Sequence, residues 1–397
     1  MRIRIIALIF IAVLTCFGVV ESAPTSPPPE VDILTVGALL PLHGENSNYG
    51  ISARIALQIA EEDINKLFSD LSRTIRLRVV AVDTQSDPEI TLKALQELQS
   101  QGIKIMIGPE QSQSLARVRE YADQNGVILI SCTSTASSLA IANDTTFRLA
   151  PDDATLARLL TFLMQRDDIK VLIPLARRDL WADDMLSATK REFEGKEGIM
   201  LEAVRYDPQT TNFSSQLNLL HTLVENATKG NSTDNVAVYV SAFDEIVTIL
   251  SQAIGDPVLA SVRWYGNDLT NAAISQNKTA AEFAYSVHFL SPVIGGSCRP
   301  KYEQIKKAVF NETGREISSL VANDYDALWL IAYAYLLAGS DEARAFKLAF
   351  PEVAKRYRGE FGWMKLNEAG DLKDVPYTIA HLKKDNDTFQ WVPYAIL

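Results

Sequence analysis

From Val31 to Gly126, apolar strand-like runs alternate with helical patterns at the spacing of βαβ units. That rhythm restricts the chain to a parallel sheet covered by helices. Val31 to Leu40, Ile75 to Val82 and Ile103 to Ile107 read as strands. Between them, Ile51 to Leu67 carries Ile55, Ile59, Ile64 and Leu67 at helical spacing. Ile90 to Ser100 carries Leu92, Leu95 and Leu98 on one side, and Leu115 to Gln124 reads as a short helix.

The alternation pauses near Phe147-Arg148-Leu149-Ala150-Pro151 and then restarts. Helix Asp152 to Arg166 leads to strand Lys170 to Leu175, helix Asp183 to Glu194 and strand Ile199 to Arg205. Helix Phe213 to Asn226, strand Val236 to Val240, helix Asp244 to Gly255 and strand Val262 to Gly266 follow. A chain of 397 residues is too long for one ordinary core. The restart therefore marks a second lobe of the same architecture, although no sequence repeat is visible.

Phe283 to Leu290 is expected as a further strand, with helices at Pro300 to Glu312 and Val321 to Ala338. The tail changes character: Gly359 to Leu366, Val375 to Leu382 and Thr388 to Tyr394 read as strands around tight turns. Helices between lobe-two strands and a β tail make the chain cross between lobes more than once.

Two strand ends carry the functional signal. Ile107-Gly108-Pro109-Glu110-Gln111-Ser112-Gln113-Ser114 and Val127 to Ser131-Cys132-Thr133-Ser134-Thr135 each run from an apolar strand into small hydroxyl residues. Each then opens a helical pattern. Neighbouring parallel strands would thus end in hydroxyls and free backbone N–H groups at helix N-termini, which favour an anion. Open α/β sheets bind ligands outside the carboxyl ends of their strands. The pair reads as a cradle for a small carboxylate, and the alternative is plain Ser/Thr helix capping.

Composition narrows the function classes. With 47% apolar and 22% charged residues the chain is that of a soluble globular protein. A net charge of −11 with no basic aromatic groove excludes nucleic acid as a partner. The chain has no G-x-G-x-x-G, P-loop, G-x-S-x-G or H-E-x-x-H string. His43, His221, His288 and His381 are scattered, with no cysteine or acid at metal-ligand spacing. Hydroxyls without a nearby base make poor nucleophiles. The chain reads as a binder rather than an enzyme, with no cofactor and no metal.

The N-terminus reads as an export signal. Arg2 and Arg4 precede the apolar run Ile5 to Val20, then Glu21-Ser22-Ala23 and the proline-rich Pro24 to Pro29. Residues 1–23 are taken as a signal peptide or an uncleaved membrane anchor, and 24–30 as a linker. Leu14-Thr15-Cys16 resembles a lipobox with an unusual Thr; the alternative is a thiol in a discarded peptide. Asn143, Asn212, Asn226, Asn231, Asn277, Asn311 and Asn386 each begin an N-x-Ser/Thr triplet, which points to a glycosylated extracellular or cell-surface protein.

The order of elements and six local strings resemble the type I periplasmic binding fold. The nearest kin are the branched-chain amino-acid binding proteins of ABC transporters and related receptor ectodomains. The strings are Gly37-Ala38-Leu39-Leu40-Pro41-Leu42 with Tyr49-Gly50, the turn Asp83 to Pro88, and Ile107-Gly108-Pro109 leading to Gly126-Val127 and Ser131. The others are Tyr265-Gly266-Asn267-Asp268, Asn323-Asp324-Tyr325-Asp326-Ala327 and Gly362 to Leu372. The resemblance implies an α/β fold of two Rossmann-like lobes, each a parallel sheet flanked by helices, joined by three crossover strands. Lobe one would be 31–148 and 290–358, lobe two 149–289, and 359–397 a crossover and lobe-two tail. The crossovers would fall near Phe147–Pro151, Ala284–Ser291 and Glu360–Leu366.

The resemblance also assigns roles. Ser112 and Thr135 would hold the α-carboxylate of an amino acid, the Ser134 carbonyl and Asp268 its ammonium, and Tyr49, Trp181 and Phe243 would line the cleft. The family's Tyr-Gly or Trp-Gly at the lobe-two turn is here Trp181-Ala182. Arg177 and Arg178 just before it either reach inward toward a second anionic group or form a solvated turn. Cys132 and Cys298 would share lobe one, either bridged or as two buried thiols. The expected activity is capture of a small carboxylate for an ABC-type permease. The alternative is the sensory ectodomain of a membrane-anchored receptor complex, whose signalling would need a partner chain.

Overall fold

Nine residues, Asp32–Leu40 (β1), form the strand around which the first sheet is assembled. Its last five residues are all buried, as expected of a parallel strand covered on both faces. The computed structural model describes residues 31–267, 271–294, 300–315, 317–318, 320–360 and 362–396. The N-terminal run with Cys16, and the expected roles of Asp268 and Cys298, fall outside the described residues.

After β1 come Ser47–Asp70 (α1), Ile75–Asp83 (β2), Pro88–Ser100 (α2), Ile105–Ile107 (β3), Ser112–Gln124 (α3), Ile128–Ser131 (β4) and Thr146–Arg148 (β5). The sheet order is β2-β1-β3-β4-β5, parallel throughout. Two of the family-like strings have a mechanical role here. Asp83 accepts from the Leu42 and His43 N–H groups at 2.8 and 3.2 Å, tying the loop after β1 to the end of β2. Asp87 caps α2, accepting from Glu89 and Ile90 N–H.

The chain then forms Asp153–Arg166 (α4), Val171–Arg177 (β6), Leu180–Glu194 (α5), Ile199–Met200 (β7), Val204–Tyr206 (β8), Ser214–Gly230 (α6), Val236–Ser241 (β9), Ile246–Ala253 (α7) and Arg263–Gly266 (β10). Asn271–Gln276 (α8), Lys278–Ser286 (α9) and Leu290–Ile294 (β11) complete the middle of the chain. Pro300–Thr313 (α10), Val321–Ala338 (α11) and Ala343–Ala354 (α12) follow, then Arg358–Gly359 (β12), Gly362–Trp363 (β13), Tyr377–Asp385 (β14) and Thr388–Ile396 (β15). The second sheet runs β15-β14-β11-β10-β9-β6-β7, with β8 paired to β6.

That sheet is mixed rather than parallel. β14 pairs antiparallel with both β11 and β15. The β14–β15 pair has a local reason: Asn386 takes φ 53 in the two-residue turn between them, so the chain returns as a hairpin instead of crossing over.

Three further expectations change. Phe283 belongs to α9, not to a strand, because Asn277 caps that helix and Ala280, Ala281, Phe283 and Ala284 form its buried face. A short apolar run fits either element, and the cap decided it. Second, Leu290–Ile294 pairs with β10 and β14, so these residues extend the second sheet past the expected lobe boundary at 289. Third, Asp371 and Leu372 still bond to Arg148 at the edge of the first sheet. The last passage between sheets therefore falls after Leu372 rather than at Glu360–Leu366.

Each of the two large sheets is covered by helices on both faces. In the first, α1, α10, α11 and α12 cover one side, while α2 and α3 cover the other. In the second, α6, α7 and α9 cover one side, while α4 and α5 cover the other. Asn323, Asp324 and Asp326 of α11 are buried polar residues, and their partners explain them. Asn323 donates to the Leu149 carbonyl at 2.8 Å, Asp324 accepts from Tyr49 at 2.6 Å, and Asp326 accepts from Tyr357 and the Glu360 N–H. One helix thus ties together a chain crossing, the cleft and the turn after β12.

Candidate functional site

The carboxyl ends of the two sheets face one another. From the first come the loop after β1 with Glu45 and Tyr49, the turn after β3 with Glu110 and Ser112, and the segment after β4 with Ser134 and Thr135. Two glycines permit this packing. Gly108 has φ 89, and a Cβ there would meet the Leu39 carbonyl oxygen at 2.5 Å. At Gly50 a Cβ would meet the Pro41 carbonyl oxygen at 2.0 Å, so the start of α1 can lie against the loop only without a side chain.

The structure brings Ser112 and Ser134 together: their hydroxyls lie 3.0 Å apart, both buried. Ser112 Oγ also accepts from the Ala136 N–H at 3.3 Å. Ser131 donates to the Pro109 carbonyl at 2.7 Å, pinning the ends of β3 and β4 together. Thr135 is buried, and its carbonyl accepts from the Asp153 N–H at the start of α4. The Ser134 carbonyl already faces the Arg148 guanidinium at 3.4 Å, and that guanidinium donates to the Ala136 carbonyl at 2.7 Å. Asp371 in turn grips Arg148 through two bonds of 2.6 and 2.7 Å.

The aromatic trio is placed as follows. Tyr49 packs against the apolar cores of both lobes and donates its hydroxyl to Asp324. Trp181 is 4% exposed and belongs to the core of the second lobe. The Phe243 ring stacks on Trp181 at 4.7 Å between centroids. Asp268, beyond β10, lies outside the described residues.

Arg177 is neither a solvated turn nor free for a ligand. Its guanidinium lies 4.1 Å from the Phe243 centroid and contacts Glu45, Asp179 and Glu245 at 2.5, 2.5 and 2.9 Å. Burial works against its charge, but the three carboxylates outweigh that and hold its pKa above the ordinary value. Burial pushes Glu45 above the ordinary carboxylate range, with Arg177 only partly offsetting it. Arg178, by contrast, is exposed and lines an opening of about 660 Å³ with Gln113, Asp179, Leu180, Asp183 and Arg205. That opening lies between the N-terminal ends of α3 and α5.

A second group lies beneath the hydroxyl cradle. Glu110, Cys132 and Asp324 place one ligating atom each within 4.8 Å of one another, all buried. Cys132 is a free thiol, so the described structure does not bear out a bridge from it. Burial pushes the Asp324 carboxyl up to about 7 against the lowering bonds from Tyr49 and Cys132, and burial with the nearby Asp324 raises Glu110 as well. Sequence reasoning missed this group, and Glu45 and Glu245 with it. Glu110, Cys132 and Asp324 are far apart along the chain, so no spacing rule marks them.

The profile described as Receptor family ligand binding region matches residues 52–385. An uncharacterized protein of Methanocaldococcus jannaschii is 27% identical over 383 residues, which is 92% of this chain and 90% of that protein. Among solved structures, the leucine binding protein LivK of Thermotoga maritima superposes with a TM-score of 0.75 at 18% identity, over 92% of this chain and 98% of that one. An ABC-transporter solute binding protein of R. palustris, in complex with benzoate, gives 0.73 at 15% identity, over 92% and 96%. The shared architecture is the type I periplasmic binding fold.

Proposed function

The chain belongs to the receptor family ligand binding region family, and from that premise we propose that it is an exported solute-binding protein. It captures a small carboxylate, an amino acid by preference, between its two lobes and hands it to the permease of an ABC transporter. The observation that carries this reading is the Ser112–Ser134 hydroxyl pair at the N-terminal end of α3, with Thr135 next along the chain and bonded to the start of α4. Paired hydroxyls and helix N–H groups offer an anion oriented bonds in a site screened from water. Tyr49, Trp181 and Phe243 supply apolar walls, and Asp268 is assigned to the ligand ammonium.

Export and cell-surface placement rest on the N-terminal run and the sequons. All seven sequon asparagines are exposed, which supports glycosylation. No helix among the described residues is long and apolar enough to cross a membrane. The family profile favours one second reading, the sensory ectodomain of a receptor complex. Thermal-shift screening against leucine, isoleucine, acidic amino acids and benzoate tests the ligand class, because a ligand that binds only the folded state raises the melting temperature. Stabilisation by amino acids is the expected result. Stabilisation by benzoate alone would replace the amino acid with an aromatic acid, and no stabilisation by any of them would remove the carboxylate reading. Cross-linking in the native membrane then separates a permease partner from a signalling one.

A further inference from the structure

We propose that Glu110, Cys132 and Asp324 form a binding site for one thiophilic divalent cation of the zinc class, in the floor of the first lobe below the Ser112–Ser134 cradle. The three residues arrive from the turn after β3, the end of β4 and the first turn of α11. Their ligating atoms lie within 4.8 Å of one another, and all three are buried.

A second observation points to a ligand. Glu110 Oε1 and Asp324 Oδ1 are buried with no hydrogen-bond partner. Glu110 is 5% exposed and Asp324 0%. Buried acceptors are nearly always satisfied, and buried carboxylates are paired or coordinate metals.

The opposite oxygen of each carboxylate is held in place. Glu110 Oε2 accepts from the Cys132 N–H at 3.2 Å and from the Thr133 hydroxyl at 2.9 Å. Asp324 Oδ2 accepts from Tyr49 at 2.6 Å. Each carboxylate is thus held through one oxygen, as outer-shell partners hold metal ligands, and Asp324 also bonds the Cys132 thiol, which a cation would replace by taking the thiolate.

The donor set selects the cation. One sulfur with carboxylate oxygens suits zinc, whereas magnesium and calcium take oxygen ligands alone. Three protein ligands leave one tetrahedral position for water. Such an ion would brace β3, β4 and α11 together. This assignment is independent of which solute the cleft binds.

The test uses the full mature chain, stripped with a chelator and titrated with Zn²⁺ alone and, separately, Co²⁺ alone. The expected result is one zinc per chain. Cobalt should give thiolate-to-metal charge-transfer absorption that is lost in Cys132→Ser and kept in Cys298→Ser. Glu110→Gln and Asp324→Asn should each weaken zinc binding at least tenfold. If a variant fails to fold, the cobalt spectrum of the wild type still decides the case. No stoichiometric metal in the wild type, no thiolate band, or equal binding by folded Cys132→Ser would overturn the proposal and leave the pair as proton-bearing carboxyls.

Discussion

Arg177, at the end of β6 in the second lobe, reaches Glu45 in the loop after β1 of the first lobe at 2.5 Å. The guanidinium is 2% exposed and already holds Asp179 and Glu245. Three carboxylates surround one cation, and this contact couples the approach of the lobes to charge.

The coupling has a definite sign. Glu45 has its pKa raised where the lobes meet, first by burial and then by Glu245 and Asp179, with Arg177 opposing. A carboxyl with a raised pKa binds protons more tightly in that state, so the joined state is favoured as pH falls and disfavoured as pH rises through the raised value. Solute affinity measured by calorimetry should strengthen as pH falls through the raised Glu45 value toward the ordinary glutamate value of about 4.3. In Glu45→Gln this slope should flatten. An unchanged slope would show that lobe contact does not pass through Glu45.

The Arg148–Asp371 pair is a structural clamp, with both side chains 1% exposed. Removing one member of a buried pair strands the other, at a cost of roughly 3–5 kcal/mol. Asp371→Asn should therefore lower the denaturant midpoint strongly. The paired apolar replacement Arg148→Met with Asp371→Leu should recover much of the loss. Equal destabilisation in the single and double variants would count against a stranded charge as the cause.

Asp268 separates an amino-acid binder from a plain carboxylate binder. An ammonium without its partner in a desolvated cleft loses roughly 2–5 kcal/mol, so Asp268→Asn should weaken amino-acid binding about 30-fold or more. Its effect on the deaminated analogue should be small. Ser112→Ala and Thr135→Val should weaken both ligands alike. Calorimetry with one amino acid and its deaminated analogue makes the comparison, and unchanged amino-acid affinity in Asp268→Asn would end that assignment.

Export leaves a mass signature. Protein isolated from its native source should lack the apolar run or retain it only as an anchor, and should carry glycans on several of the seven exposed sequons. Intact mass before and after deglycosylation reads both. A full-length, unmodified cytosolic chain would refute the assignment.

Much of the fold was legible because its signals are local. The helix expected at Val321 to Ala338 forms over those residues, and the first-lobe strands lie where the apolar runs put them. Periodicity reports which faces are buried, and caps such as Asp87 report where helices begin. Where two elements fit one string, as at Phe283, periodicity had no power to choose. The turn after β4 was not legible: its hydroxyls lead only into the three-residue 3-10 turn Ser137–Leu139 rather than the expected helix, and the run after β3 alone opens one, α3.

By itself the sequence determined the two-lobed βαβ plan, the hydroxyl-rich strand ends and the absence of familiar catalytic strings. Only the tertiary structure decided what charges meet. Arg177 with Glu45, Arg148 with Asp371, and Glu110 with Cys132 and Asp324 are contacts between distant segments. Their energies depend on burial and on partners that no local pattern encodes. A charged residue in a turn reads the same in sequence whether water or three carboxylates surround it, and only the closing of one sheet end upon another settles which.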